Sequence, residues 1–378
     1  MKKILLITLE FPPQIGGIAT YVQYFAETLN PSQVVVLAPK NKDAEEFDKN
    51  LKFKVIRKNA YYPKFMWPRW FRLFWQVLRI VKKEKIDIIY LHHVLPVGYV
   101  GWLIKKILKI PYLIFSHGTD IEMGTRSLWK RKRLFQVASQ SEQIIFNSQS
   151  LKERLLRILP DLESKSSVLY PCPEKIFYQI PEKESLDALR RQYALAGKKV
   201  MLTVARMVDG KGYPHLLRML PAILKEVPNL VWIIVGDGPK KKWFLEEMQK
   251  KTLQSAIRFV GDIPHNELKS YYYMADLFTV LTHPDEGREE GLGLVFLEAG
   301  ACGLPSVAGK SGGVEEAVLH TQTGLIVDIF KGDKPVINSI VELLKNTDYA
   351  GELGKNAQDR IRTNFQWEHQ LKVIDKWR

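Results

Sequence analysis

The sequence predicts an α/β protein of two domains, each built on a parallel β-sheet that is covered by helices. Its 378 residues exceed what one hydrophobic core usually accommodates. Short β-branched runs alternate with longer segments of helical periodicity, and the alternation begins again after residue 199. Such alternation is typical of βαβ units, whose strands run parallel.

The predicted strands are the short apolar runs. In the first half they are 4–8, 34–38, 86–91, 111–116, 143–147 and 167–170. In the second half they are 199–205, 230–235, 257–260, 276–281, 305–308 and 324–327. A proline-bearing segment of mixed charge, 171–197, is the predicted linker. We therefore expect domains at 1–172 and 173–357, and a C-terminal helix at 358–378 that packs back toward the first domain.

The composition excludes several classes of protein. With 46% apolar and 11% aromatic residues, the chain is neither disordered nor collagen-like. Cys172 and Cys302 lack zinc-site spacing and are expected to be reduced thiols of a cytoplasmic protein. The apolar start of the chain is short and ends at Glu10, so it is expected to be a strand and not a signal peptide. No run reaches the ~20 apolar residues of a membrane-spanning helix.

The positive charge lies almost entirely in the first half. The formal net charge is +15, of which residues 1–170 carry +14 and residues 171–378 carry +1. This asymmetry indicates an anionic partner for the first half, either nucleic acid or an acidic membrane surface.

One aromatic and basic segment offers a surface for such a partner. Helical spacing groups Trp67, Trp70, Phe71, Phe74, Trp75 and Leu78 into one stripe. The cations expected on this surface are Arg69, Arg72, Lys130, Arg131, Lys132 and Arg133. The aromatic side chains would equally suit packing under the sheet, but three tryptophans within nine residues beside these cations favour a helix lying on an anionic membrane. Nucleic acid is not expected, because its usual recognition motifs are absent.

Ligands of parallel sheets bind beyond the carboxyl ends of the strands, so the loops that follow the strands are informative. After the first strand, Gly16 and Gly17 permit close backbone approach at a helix start, where phosphate binds, although a plain turn explains the pair as well. After the strand at 111–116, His117 and Asp120 place an imidazole and a carboxylate at the sheet edge, and a structural histidine is an equal alternative.

In the second half, two cations flank a short glycine-bearing turn. Arg206 ends a strand and Lys211 begins a helix, an arrangement that can clamp a pyrophosphate. The segments 236–238 and 311–313 are further glycine turns, each of them weak evidence alone.

The strongest signal is a pair of carboxylates, Glu290 and Glu298, separated by seven mostly apolar residues. Apolar residues surround Glu298 on its helix, and a carboxylate is almost never buried unless it is paired or hydrogen-bonded. A pair of sugar hydroxyls is one such partner. The backbone N–H groups of Leu292, Gly293 and Leu294 are expected to face an anion at the helix start.

In this order, the loops resemble those of the retaining GT-B glycosyltransferases of family 4, in particular the mannosyltransferases that act on phosphatidylinositol. The match runs through Gly16-Gly17, His117-Gly118, Arg206 with Lys211-Gly212, Gly236-Asp237-Gly238, Val260-Gly261 and the E-x7-E pair. It covers nearly the whole chain and implies two Rossmann-like domains whose sheets face a central cleft.

The resemblance implies a role for each matching residue of the second half. Arg206 and Lys211 would hold the donor diphosphate, and Glu290 would contact the donor hexose. Glu298 would accept hydrogen bonds from the ribose hydroxyls, and Ile263 would lie at the nucleobase. In the first half, Gly16 and Gly17 would close over the phosphate, while His117, with Asp120, would lie on the acceptor side.

The reaction implied is the transfer of a hexose from a nucleotide sugar to a lipid-linked or envelope glycan acceptor, with mannose from GDP-mannose as the leading assignment. The catalytic residues would be Glu290, His117, Arg206 and Lys211. No Asp-x-Asp occurs, so neither a metal nor another cofactor is expected. The enzyme would be peripheral on the inner face of the cytoplasmic membrane. The alternatives are an idle glycan- or nucleic-acid-binding protein of the same fold and a nucleotide-sugar epimerase.

Overall fold

A computed structural model describes residues 2–378, apart from the side chains of Thr119, Asp120 and Met123. The chain divides into two compact units. The first runs to Pro171 and takes in Trp367–Arg378, and the second is Cys172–Gln366. Each unit contains one parallel sheet, as the sequence predicts.

The first unit is built on a seven-stranded sheet in the order β3-β2-β1-β4-β5-β6-β7. Its strands are β1 (Ile4–Ile7), β2 (Val34–Ala38), β3 (Lys54–Arg57), β4 (Ile88–Leu91), β5 (Tyr112–Ser116), β6 (Gln143–Phe146) and β7 (Ser166–Val168). The helices that cover it are α1 (Gly17–Glu27), α2 (Ala44–Asp48), α3 (Phe71–Glu84), α4 (Val97–Leu108), α5 (Thr119–Thr125), α6 (Leu128–Gln140) and α7 (Gln149–Leu156), with a 3-10 turn at Pro160–Lys165.

Burial of both sheet faces explains why central strands such as β1, β4 and β5 are continuous apolar runs. In β1, Leu5 and Ile7 belong to one hydrophobic cluster and Ile4 and Leu6 to another, because alternate side chains point to opposite faces. The edge strand β3 lacks such a run, since its four residues are half-buried or exposed. The apolar pattern therefore does not predict it.

The second unit is built on a six-stranded sheet in the order β10-β9-β8-β11-β12-β13. Its strands are β8 (Lys199–Val204), β9 (Leu230–Val235), β10 (Ile257–Gly261), β11 (Leu277–Val280), β12 (Ser306–Gly309) and β13 (Leu325–Val327). Its helices are α8 (Lys183–Gln192), α9 (Tyr213–Glu226), α10 (Lys241–Lys250), α11 (Leu268–Met274), α12 (Leu294–Ala301), α13 (Val314–Ala317), α14 (Asp333–Lys345) and α15 (Thr347–Asn364). The 3-10 turns are Lys175–Tyr178, His265–Glu267 and Ile329–Lys331.

The chain ends with α16 (Trp367–Gln370) and a 3-10 helix at Leu371–Trp377, both in the first unit. Residues 358–364 belong to α15 of the second unit, so the structure begins this terminal segment later than the sequence-based boundary at 358. The segment 171–197 holds α8 and is not a bare linker. Among residues 2–378, no helix is both long and apolar enough to cross a membrane.

Candidate active site

The loops that follow β8 and β9 are held together by main-chain contacts. Gly236 has φ of +127°, and a Cβ atom there would lie 2.2 Å from the carbonyl oxygen of Ala205. A Cβ atom at Gly238 would lie 2.6 Å from the Met207 carbonyl oxygen, and the Met207 N–H donates to Asp237 O at 2.9 Å. The glycine turn at 236–238 therefore fixes the backbone on both sides of Arg206.

Arg206 extends from this fixed backbone as an available cation. Its side chain is exposed and, among the described residues, makes no hydrogen bond or ion pair. A guanidinium group offers five N–H donors in a planar fork that suits phosphate oxygens. The geometry thus leaves this group free for an anionic ligand.

Lys211 is held at the start of α9 by the glycine that follows it. Gly212 has φ of +80°, and a Cβ atom there would lie 2.5 Å from the Leu281 carbonyl oxygen. The Lys211 Nζ donates to Glu290 Oε2, and both side chains are partly buried. Two residues that the family resemblance places at the donor site are therefore in direct contact, although 79 positions separate them.

The turn at 311–313 holds the backbone of Glu290 from both sides. The Glu290 N–H donates to Ser311 Oγ at 3.1 Å, and the Gly313 N–H donates to Glu290 O at 3.0 Å. Gly312 has φ of +51°, and a Cβ atom there would lie 2.2 Å from Glu290 O. The sequence predicts this glycine turn but does not indicate what it does. The structure shows that it positions Glu290.

The helix α12 begins at Leu294. The preceding residue, Gly293, adopts the left-handed backbone conformation, with φ of +87°. The Phe296 N–H is bonded to Gly293 O at 2.9 Å, while the amides of Leu294 and Val295 stand at the helix start without an intrahelical acceptor. The positive end of the helix therefore lies at 294–295. Leu292, which the sequence also assigns to this anion site, is a buried side chain ahead of the helix.

Glu298 is buried in α12, as the sequence predicts, with 2% of its surface exposed. The Tyr272 hydroxyl donates to Glu298 Oε2 at 2.8 Å, and His265 Nε2 lies 2.9 Å from Oε1. Burial lowers the pKa of His265, but the Glu298 charge together with bonding to Glu174 and Glu298 outweighs burial and raises it to about 9. Burial next to Glu298 raises the pKa of the Tyr272 hydroxyl far above its ordinary value.

His265 and Tyr272 are functional candidates that the sequence reasoning missed. His265 follows β10, two positions after Ile263, so its place at the carboxyl edge of a strand was the available signal. Ile263 itself is half-buried in that loop. For Ile263 the nucleobase role remains the one that the family resemblance implies.

In the first unit, His117 belongs to a cluster of three histidines. His92 and His93 directly follow β4, which pairs with β5, and His117 directly follows β5. His92 Nδ1 lies 3.3 Å from His117 Nε2, and the His93 and His117 ring centroids are 6.0 Å apart. Burial, and secondarily His93, lowers the pKa of His117 to about 3, so the ring is neutral at physiological pH. The sequence reasoning missed His92 and His93, although both follow a predicted strand.

The glycine pair at the start of α1 has open space beside it. A Cβ atom at Gly17 would meet nothing within 4 Å, and one at Gly16 would meet only Glu10 Oε2, at 3.7 Å. Protein packing therefore does not require these glycines, which is compatible with close approach by a ligand. The side chain of Asp120, the other acceptor-side prediction, lies outside the described residues. For all of these the ligand roles remain predictions.

The aromatic surface of the first unit is partly packed and partly exposed. The helix α3 begins four residues after Trp67, so the stripe predicted from Trp67 is helical only from α3 onward. Trp70 stacks on Tyr99 with ring centroids 5.2 Å apart, and Phe74 is buried. In contrast, Trp67 is 86% exposed and Trp75 is 43% exposed.

The predicted cations of this surface also differ in availability. Arg69 Nε donates to the Tyr62 carbonyl oxygen at 2.9 Å, and the Arg72 guanidinium lies 5.9 Å from the Tyr62 ring centroid. Arg131 donates to Ile158 O and is partly buried, so it is not a free surface cation. The exposed cations of α6 are Lys130, Lys132 and Arg133. Beside them, Leu128 and Trp129 are exposed by 83% and 59%.

Comparisons with known proteins agree with this architecture. The model for Glycosyltransferase Family 4 matches residues 15–172, and the model for Glycosyl transferases group 1 matches residues 186–360. The fold is GT-B: the chain superposes on Anabaena HepE in complex with UDP-glucose with a TM-score of 0.84 and 20% identity, covering 100% of this chain and 99% of that one.

Two curated relatives are similar over nearly their full lengths. One is the GDP-mannose-dependent alpha-(1-6)-phosphatidylinositol monomannoside mannosyltransferase of Mycolicibacterium smegmatis, 28% identical, with 96% of this chain and 95% of the relative covered. The other is the GDP-mannose-dependent monoacylated alpha-(1-6)-phosphatidylinositol monomannoside mannosyltransferase of Corynebacterium glutamicum, 26% identical, with coverage of 97% and 95%.

Proposed function

This chain belongs to the family 4 glycosyltransferases, and we propose that it transfers a hexose, with retention, from a nucleoside diphosphate sugar to a hydroxyl of a lipid-linked or envelope glycan acceptor. The observation that carries the proposal is the contact of Lys211 with Glu290 on loops that also present the free guanidinium of Arg206. Cations, a carboxylate and helix-start amides are the groups that bind a diphosphate and a sugar hydroxyl.

In the proposed reaction, the bond between the hexose C1 and the diphosphate oxygen breaks. A bond from the acceptor oxygen to C1 forms on the same face of the sugar, and the acceptor proton passes to the departing phosphate oxygen. Negative charge develops on that phosphate as the sugar acquires oxocarbenium character. Arg206, Lys211 and the amides of Leu294 and Val295 would stabilise this charge.

Glu290 has two tasks in this proposal. It would accept a hydrogen bond from a hexose hydroxyl. It also holds the Lys211 ammonium in place: this group has three N–H donors, and one of them is bonded to the Glu290 carboxylate. A lysine restrained in this way needs less reorganisation when phosphate charge develops. Glu298 would accept hydrogen bonds from the ribose hydroxyls.

The donor is proposed to be GDP-mannose. Both mannosyltransferase relatives are named as GDP-mannose-dependent, while the structural neighbour HepE was crystallised with UDP-glucose. The relatives are similar in sequence at 26–28% and HepE at 20%, so sequence similarity favours the guanine nucleotide.

A panel of GDP, UDP and ADP tests the donor in a thermal-shift measurement. We expect GDP to raise the melting temperature most, because at equal concentration the nucleotide with the lowest Kd stabilises the folded state most. A ligand at 100 times its Kd contributes about 2.7 kcal/mol. Inorganic pyrophosphate is the control that isolates the diphosphate contribution. Stabilisation by UDP alone would contradict the GDP assignment.

The epimerase alternative is tested by incubating the enzyme with the nucleotide sugar and no acceptor. Conversion of the nucleotide sugar to its epimer would support the epimerase and contradict transfer.

We further propose that the first unit binds an anionic membrane, which would place the enzyme peripherally on the inner face of the cytoplasmic membrane. Trp67, Trp75 and Trp129 supply exposed apolar surface, and Lys130 and Lys132 supply exposed charge. Each cation near an anionic bilayer contributes about 1 kcal/mol, and interfacial tryptophans add apolar burial.

Substitution of Lys130 and Lys132 by glutamate is expected to weaken binding to vesicles that contain phosphatidylglycerol at least tenfold, because two attractive charges become repulsive. Co-sedimentation at physiological salt measures the effect. Trp243→Ala, which removes an exposed tryptophan of the second unit, is the control and should leave vesicle binding unchanged. Failure of the unaltered protein to bind these vesicles would exclude the membrane proposal.

A further inference from the structure

One histidine of the second unit bridges two carboxylates. His265 Nε2 lies 2.9 Å from Glu298 Oε1, and His265 Nδ1 lies 3.6 Å from Glu174 Oε2. Glu298 is buried, whereas the imidazole keeps 26% of its side-chain surface exposed. The ring is steadied from one side by Phe177, whose centroid lies 5.2 Å away in an edge-to-face arrangement.

The two contacts determine the charge of the ring. Both nitrogens face a carboxylate oxygen, and both can act as donors only in the imidazolium form. The raised pKa of about 9 agrees with this geometry. His265 is therefore a cation that neutralises part of the negative charge that Glu298 and Glu174 bring to the site.

This arrangement fixes the orientation of the Glu298 carboxylate. Tyr272 donates to one oxygen at 2.8 Å and His265 to the other, so the group cannot rotate without breaking a hydrogen bond. An ionised carboxylate has about four lone-pair sites, so roughly one remains on each oxygen. Two neighbouring acceptor sites of fixed direction suit a vicinal pair of hydroxyl groups.

Resting on the ribose role of Glu298 in the proposed function, we propose that His265 is a positioning residue of the nucleoside site. It holds the Glu298 carboxylate in the orientation that suits the ribose hydroxyls, and Glu174 holds the imidazolium from its other nitrogen. Neither the E-x7-E spacing nor the implied role of Ile263 assigns such a task to His265.

Donor binding should then depend on the protonation of His265. His265 contacts two carboxylates, those of Glu174 and Glu298. The other titratable or charged groups nearby are Tyr272, which donates to Glu298, the Cys302 thiol, and Lys269, which interacts with that thiol. Burial raises the pKa values of the Tyr272 hydroxyl and the Cys302 thiol above their ordinary values, so both stay neutral while His265 titrates.

The sign of the pH effect follows from the raised pKa. The His265 pKa is about 9 in the folded protein, above its ordinary value of 6.5. Its contribution is therefore fully present below pH 6.5 and is lost as the pH rises through about 9. The KM for the donor should be constant from pH 6.5 to about 8 and should increase above pH 9.

His265→Ala is expected to raise the KM for GDP-mannose about tenfold to a hundredfold, with kcat at saturating donor changed less than threefold. His265→Gln, whose side-chain NH2 group can still donate to Glu298 but cannot titrate, should recover part of the affinity and should abolish the rise of KM above pH 9. His369→Ala, which removes an exposed histidine of the first unit, is the matched control and should behave like the unaltered protein.

An unchanged or lowered KM in folded His265→Ala would overturn the proposal, and a lowered KM would mean that the imidazole occupies the nucleoside's place. If the alanine variant does not fold, the glutamine variant decides through its pH profile: a rise of KM above pH 9 identical to that of the unaltered protein also overturns it. Glu298→Gln separates the two claims. If it leaves the KM unchanged, the ribose role of Glu298 fails; if it raises the KM and His265→Ala does not, only the present inference fails.

Discussion

Replacing Lys211 by alanine is expected to lower kcat for hexose transfer by about 100- to 1,000-fold, the loss typical of removing one preorganised group that stabilises developing charge. The ammonium is held by Glu290, so the substitution also leaves a partly buried carboxylate without its counter-ion at the place proposed for the departing phosphate. Both effects raise the energy of the transition state. Steady-state transfer from the donor that the thermal-shift panel identifies gives kcat and KM separately.

Lys345→Ala is the matched control, because it breaks an exposed ion pair with Glu226 on the surface of the same unit. It should retain full activity, since exposed pairs contribute little. A loss below tenfold in folded Lys211→Ala would contradict the assignment. The same assay in EDTA should leave the unaltered protein active, and activity that is lost in EDTA and restored by magnesium would show that the two cations do not replace a metal.

Replacing Gly312 by alanine is expected to abolish measurable transfer and to destabilise the second unit. A side chain at φ of +51° is strained, and its Cβ would lie 2.2 Å from Glu290 O and 3.2 Å from Glu289 Cβ. Overpacking of this kind costs about 1–3 kcal/mol beyond the backbone strain. The relief available is movement of the Glu290 backbone, which displaces the carboxylate from Lys211.

Gly197→Ala separates the clash from the strain. Gly197 has φ of +66°, but a Cβ atom there would meet nothing within 4 Å. In this variant only the backbone strain should lower the stability, and the activity should be kept. The urea midpoints of the two variants and their kcat values are the measurements. Equal losses of stability and activity in both would show that contact with Glu290 is not what requires Gly312.

The sequence predicts most of the framework because apolar runs determine it. All six strands of the second sheet and six of the seven strands in the first lie where short apolar runs predict strands. The strand at Lys54–Arg57 escaped because its edge position leaves no side fully buried. Trp67 illustrates the converse: helical spacing grouped it with Trp70 and Phe74, but it precedes the helix that contains Phe74 and remains exposed.

The sequence predicts which residues belong to the site better than it predicts which of them contact one another. The burial of Glu298 follows from its apolar neighbours, but the identity of its partners depends on how α11 and the loop after β10 pack against α12. His265 is 33 positions away from Glu298, and Lys211 is 79 positions from Glu290. Likewise, the contact of His92 with His117 depends on the register in which β4 pairs with β5. No local pattern encodes such distances.

Main-chain atoms, more than side chains, hold the proposed diphosphate-binding edge of the second unit in shape. The close approaches of Gly236 to Ala205, of Gly212 to Leu281 and of Gly312 to Glu290 are all made to carbonyl oxygens, which every amino acid carries. The outline of this edge is therefore largely insensitive to the identity of the residues around the glycines. If the edge binds the donor as proposed, we expect that exposed positions beside it, such as Asp262 and Glu289, can be varied while the glycine scaffold is left intact.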